Sequence, residues 1–206
     1  MPKDRPTPKN VETGLRKELA GSTPDGMFAR LQERVVADRL VDVAFTTIDS
    51  PLGTLLAAKT KKGLIRLSYE GRGVDASLEQ LALAVSPRIM EAPSQLDDVR
   101  RELDEYFEGS RHDFDLPIDW SFVSGFVQKV LKATARIPFG SVSSYGQVAL
   151  KAGSPRASRA AGNALGSNPM PIVVPCHRVL HSGGGIGGYT GGLERKEFLL
   201  QLEGVL

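Results

Sequence analysis

The chain has 206 residues, 41% of them hydrophobic and 24% charged, which suits one large soluble domain or two small ones. No apolar run approaches the ~20 residues that span a bilayer, and the charged start Met1-Pro-Lys-Asp-Arg-Pro lacks the apolar stretch of a secretory signal. The 26 Lys and Arg against 24 Asp and Glu leave a net charge of +2. One cysteine, Cys176, excludes an internal disulfide and a cysteine-built zinc site, and a working thiol needs a reducing compartment, so the cytoplasm is expected.

Residues 1–26 are rich in Pro, Lys, Asp, Gly and Thr without periodicity and read as a tail. Met27, Phe28, Leu31, Val35 and Leu40 then recur at helical spacing, so residues 1–40 are expected to be a tail plus an amphipathic helix. From Val41 the pattern changes to strands: 41–48, a turn over Asp49-Ser-Pro-Leu-Gly53, then 54–59 and 64–69 joined by Lys61-Lys-Gly63. Two helices should follow, the second with Leu96, Val99, Leu103 and Tyr106 on one face. Gly109 and Pro117 close an α/β domain over 41–118.

Residues 119–206 read as a mostly helical second domain. Phe126–Ile137 is a helix ended by Pro138 and Gly140. Ser144 should cap a helix to about Ala152, and Gly153 breaks it. Ser154 and Pro155 then offer an N-cap and first-turn proline for a helix to Leu165. Two short helices joined by a glycine-containing turn form a helix-turn-helix. From Trp120 onward nine basic residues face three acidic ones, net +6, leaving −4 for residues 1–119. A basic half with a helix-turn-helix fits a polyanionic partner.

Cys176 lies in Pro171-Ile-Val-Val-Pro175-Cys176-His177-Arg178-Val179, between a rigid apolar lead and a loop with seven glycines from Gly183 to Gly192. Cysteine is often an inert buried residue; a thiol directly before a histidine is placed for reactivity, because the thiolate is the nucleophile and needs a base. The glycine loop lacks the Lys-Ser/Thr of a P-loop, which sets nucleotide binding aside.

The Pro-Cys-His-Arg-Val string resembles the signature of the O6-alkylguanine-DNA alkyltransferases, or methylated-DNA–protein-cysteine methyltransferases. The likeness continues through Ile137-Pro-Phe-Gly140, Ser144-Tyr145-Gly-Gln-Val-Ala149, Arg159-Ala-Ala-Gly162, Asn168-Pro-Met-Pro171, Gly188-Tyr-Thr-Gly-Gly192 and Leu202-Glu-Gly204. Weaker likeness in Thr46–Gly53 and Glu105–Gly109 extends it over 41–206. Val127 and Leu131 stand where the family commonly has glutamine and tryptophan, which implies a repacked helix. The resemblance implies a ribonuclease-H-like first domain acting as scaffold, and a second domain that binds double-stranded DNA and takes the alkyl group from O6-alkylguanine in a single turnover, as a monomer with no cofactor or metal.

By the same resemblance Cys176 is the nucleophile, His177 its base through a water, Glu203 the acceptor that orients His177, and Asn168 the stabiliser of the nucleophile turn. Tyr145, Val179, Tyr189, Thr190, Pro171 and Leu165 are expected around the guanine. Arg159 is implied as the arginine that fills the gap left by a flipped nucleotide, with Arg156, Ala157 and Ser158 against the backbone. A stacked guanine hides its O6 substituent from in-line attack, so flipping is required. A damage sensor of the same family lacks the cysteine, which Cys176 argues against; a regulator form carries an extra cysteine-rich domain, which a chain with one cysteine does not offer; and a cysteine hydrolase has no use for the helix-turn-helix.

Overall fold

The computed structural model describes Gly26, residues 40–69 and residues 73–206. The amphipathic helix expected within 1–40 lies outside the described residues. Asp42–Leu206 forms one compact unit.

Its first half is a four-stranded sheet in the order β3-β2-β1-β4, built from β1 (Val43–Ile48), β2 (Leu55–Thr60), β3 (Gly63–Tyr69) and β4 (Ile89–Glu91). β1 and β3 run antiparallel to β2, and β4 joins β1 in parallel. Residues 55–58 of β2 are all buried, as a central strand covered on both faces should be. Helix α1 (Val74–Ala84) brings Leu81 into a core with Val43, Ala58 and Ile65. Helix α2 (Asp97–Phe107) buries Val99, Leu103 and Tyr106, the face its periodicity predicts. β4 is three residues long, too short to show alternation, and the sequence gives no sign of it.

The free edge of β3 is closed by the segment that joins the two halves and by Pro169 of the second. Leu64 NH donates to Pro117 O (2.8 Å), Asp119 NH to Leu64 O (2.9 Å) and Leu67 NH to Pro169 O (2.9 Å). An unpaired edge is an association hazard, and here the chain segment leading to Cys176 pairs with it. Gly63, at φ +133°, makes this approach possible, because a Cβ there would stand 2.0 Å from Pro117 O.

The second half packs α3 (Gly125–Thr134) against α4 (Tyr145–Lys151) and α5 (Ser158–Gly166), and ends in α6 (Leu193–Leu202). Leu131 is fully buried in α3. Ser144 caps α4 with a reciprocal box: its hydroxyl accepts from Gln147 NH (3.2 Å) while Gln147 Oε1 accepts from Ser144 NH (2.9 Å). The expected cap of α5 by Ser154 and Pro155 is not what forms. Residues 154–157 make a separate turn closed by Ala157 NH to Ser154 O, and α5 starts three residues later without a side-chain cap. Pro155 suits a turn as well as a first helical residue, and the Ser154 carbonyl is used by that turn. A parallel pair, β5 (Ser143–Ser144) with β6 (Val179–Leu180), was also not legible. It places Tyr145 beside the strand that follows Cys176.

Candidate active site

Cys176 opens a 3₁₀ turn over Cys176–Arg178, which β6 continues. The lead-in is strained: Ile172 has φ +73°, the one non-glycine residue with positive φ among those described, a conformation costly for a β-branched side chain. Asn168 holds this segment from both ends. Its Nδ2 donates to Val174 O (2.8 Å) and to Cys176 Sγ (3.2 Å), and its Oδ1 accepts from Met170 NH (3.0 Å). Cys176 as a residue is 9% exposed. Burial raises its pKa, against the opposing pull of the Asn168 bond and the Lys196 charge.

His177 is fully buried and its Nε2 lies 2.9 Å from Glu203 Oε1. With Nε2 donating to the carboxylate, Nδ1 is the basic nitrogen, and it has no hydrogen-bond partner among the described residues. Burial lowers the His177 pKa despite the Glu203 bond. Glu203 is the hub of the site. Besides His177 it accepts from Tyr106 OH (2.7 Å), Arg178 Nε (2.8 and 3.1 Å), Arg178 Nη2 (2.8 Å) and, more distantly, Gly140 NH (3.4 Å). Burial opposes its ionisation, but the bonds from His177 and Arg178 win and hold the carboxyl at about 2. The resting site therefore pairs a neutral thiol with a neutral imidazole beside a fixed carboxylate. That arrangement can receive a proton from sulfur but does not store a thiolate.

A cavity of about 660 Å³ opens over the thiol, lined among others by Tyr145, Arg159, Leu165, Tyr189 and Thr190. Tyr145, the first residue of α4, fits because Gly187 makes room: a Cβ there would stand 2.7 Å from the Tyr145 hydroxyl and 3.3 Å from its ring. Burial raises its pKa, so at neutral pH it is a proton donor. Thr190 Oγ1 donates to Gly166 O (2.8 Å), fastening the glycine loop to the end of α5. Tyr189 OH meets Tyr69 OH at 2.9 Å.

Arg159 and Ser158 are exposed at the rim of this cavity, on the solvent face of α5 whose other side buries Ala161, Ala164 and Leu165. Arg156 is exposed on the turn before α5, and Ala157 is that helix's N-cap; neither lines the cavity. Pro171 lines a second cavity of about 460 Å³, reached by Cys176 from the side of Tyr69 and Phe122. Val179 is fully buried and its carbonyl accepts from Lys196 Nζ (2.7 Å), which leaves one lone pair for a further donor.

The structure also assembles residues the motifs did not single out. Arg178 clamps Glu203, and a motif arginine beside a buried carboxylate is a visible signal once Glu203 is suspected. Tyr106 sits on an apolar helix face, where a buried hydroxyl requires a partner. Fully buried Lys196, its pKa brought down to about 8 by burial with Cys176 opposing, and Tyr69, with Arg195 stacked 4.5 Å over its ring, give no sequence signal at all.

Residues 43–120 match the family model for the ribonuclease-like domain of 6-O-methylguanine DNA methyltransferase, and residues 125–205 match the model for its DNA binding domain. The chain belongs to the 6-O-methylguanine DNA methyltransferase family. The human methylated-DNA–protein-cysteine methyltransferase is 35% identical over 176 residues, 81% of this chain and 83% of that protein. The Mycolicibacterium paratuberculosis protein of the same name is 39% identical over 161 residues, covering 78% and 92%. Among solved structures, the O6-methylguanine methyltransferase of Mycobacterium tuberculosis superposes with TM-score 0.66 at 37% identity, over 78% of this chain and 92% of that one. The M. tuberculosis protein crystallised in complex with DNA superposes with TM-score 0.65 at 37% identity, with the same coverage. The fold of this 6-O-methylguanine DNA methyltransferase family member is thus the two-part fold of its relatives, a small mixed sheet with flanking helices followed by a helical part.

Proposed function

We propose that the chain repairs DNA directly, taking the alkyl group from O6 of guanine onto Cys176 in one irreversible turnover. The observation that carries this reading is the single thiol at the base of the cavity, bonded to Asn168 and followed in sequence by the His177–Glu203 pair. Sulfur attacks the alkyl carbon from the side opposite the O6 bond. The carbon–oxygen pair stays with guanine as the carbon–sulfur bond forms. The thiol proton passes through water to His177 Nδ1, and Glu203 stabilises the imidazolium. Tyr145 donates a proton to the ring where guanine gains charge, and the His177 proton restores it, so one proton leaves sulfur and one reaches the base. The S-alkyl thioether has no route back, and the protein is consumed.

Duplex DNA brings its lesion into the cavity by flipping, at a cost of a few kcal/mol for unstacking. Arg159, a long cation at the cavity rim, fills the space the nucleotide leaves. Ser158, Ala157, Arg156 and the N-terminus of α5 meet the phosphates. Val179, Tyr189, Thr190, Pro171 and Leu165 contact the flipped base or its substituent. Among the described residues no helix is long and apolar enough to cross a membrane. We place the monomeric protein in the reducing cytoplasm.

Intact-protein mass spectrometry after incubation with a duplex containing O6-methylguanine tests the reading. A gain of one methyl group per chain, mapped to Cys176 and absent in Cys176→Ala, is expected. Tight binding without a mass change refutes it.

A further inference from the structure

We propose that Tyr106, on α2 of the sheet-containing half, is a positioning residue for the transfer, its hydroxyl setting how much of the Glu203 carboxylate remains available to His177. This rests on the reading of Cys176, His177 and Glu203 above and adds a member from the half expected to be only scaffold. The load on Glu203 is uneven. Oε1 meets four donor atoms, Tyr106 OH at 2.7 Å, Arg178 Nη2 at 2.8 Å, His177 Nε2 at 2.9 Å and Arg178 Nε at 3.1 Å. Oε2 takes Arg178 Nε at 2.8 Å and the Gly140 amide at 3.4 Å.

Packing does not require the Tyr106 hydroxyl. Its ring is held by Phe107, Phe114 and Phe139 at centroid distances of 5.4, 5.3 and 6.1 Å, and phenylalanine would fill the same space. Burying the hydroxyl has a desolvation cost that this one bond offsets. Its consequence is electrostatic: a donor on Oε1 draws off negative charge that would otherwise favour the imidazolium.

The charged groups that act on His177 are Glu203, Arg178 after it in the chain and Lys196 from α6. Arg178 and Lys196 disfavour a positive imidazole, Glu203 favours one, and Tyr106 moderates Glu203 from the far side. The outcome is a base that stays neutral until the thiol proton arrives.

The test is a nitrogen-15 NMR titration of the His177 imidazole in the full chain, wild type and Tyr106→Phe, alongside the pH dependence of transfer from free O6-benzylguanine. The His177 midpoint should rise by about half a pH unit or more, and the acidic limb of the rate should move the same way. A midpoint that stays put or falls overturns the proposal. In a Glu203→Gln background the same substitution should give no further shift; an equal shift in both backgrounds overturns the route through Glu203. A wild-type chain that gained no alkyl mass would sink the transfer reading, while the titration would still read the effect of Tyr106 on His177.

Discussion

Substituting Arg178 by methionine should cost more stability than any exposed change, and the cost should depend on pH. The Arg178 side chain is 5% exposed and that of Glu203 is fully buried. The guanidinium also donates through Nη1 to Ile137 O at 2.5 Å. Methionine keeps the apolar stem but leaves the carboxylate with Tyr106, His177 and the distant Gly140 amide, and frees the Ile137 carbonyl. Breaking a buried ion pair from one side costs about 3–5 kcal/mol, and the surviving donors put Arg178→Met near the lower end. In a chain of this size each kcal/mol lowers Tm by about 2–4 °C, so a fall of roughly 6–12 °C at pH 7 follows.

The sign of the pH dependence comes from Glu203. A carboxyl held at about 2 when folded, against an ordinary 4.5, contributes stability that is fully present above the ordinary value and lost as pH falls toward 2. Without Arg178 that contribution shrinks. The gap between the two proteins should therefore be widest at neutral pH and close on acidification. Thermal melts across pH 3 to 7 measure it. A variant melting within about 2 °C of wild type at pH 7, or a gap that does not narrow with acid, refutes the view of Glu203 as an ionised hub held by Arg178.

Arg159→Ala should slow repair of duplex O6-methylguanine by about tenfold or more, a barrier change of about 1.4 kcal/mol, while reaction with free O6-benzylguanine stays within about twofold. Equal losses in single-turnover rates on the two substrates would remove Arg159 from flipping. Gly191→Ala should cut transfer to free O6-benzylguanine without unfolding the chain. Its Cβ would stand 2.5 Å from the Tyr69 ring and 2.7 Å from that of Tyr189, forcing apart the pair that seats the loop; an unchanged rate would show that the loop tolerates the displacement.

Much of the site was legible because its chemistry is local. Cys176 and His177 are chain neighbours, the Ser144–Gln147 capping box closes within one turn, and Arg159 stands out as a long cation on a helix otherwise made of small residues. The same locality made β1, β2, β3 and the apolar face of α2 readable from alternation and helical spacing. Helix α5 starts at Ser158 and not at Pro155 because Ser154-Pro155 satisfies the rules for a turn and for a helix cap equally, and the Ser154 carbonyl's bond to Ala157 decides for the turn.

Residue types and short-range pattern determined by themselves that this chain would hold one thiol beside an imidazole, a strand-rich first half and a helix-turn-helix in the second. Only the tertiary structure decided that Glu203, 26 residues beyond His177, meets Arg178 and Tyr106 on one buried carboxylate, that Tyr69 seats Tyr189, and that β3 closes on Pro117 and Pro169. These contacts join segments far apart in the chain, and their energy lies in desolvated polar bonds that no local periodicity encodes. Whether a buried tyrosine hydroxyl such as that of Tyr106 finds its partner depends on where the other half of the molecule places one.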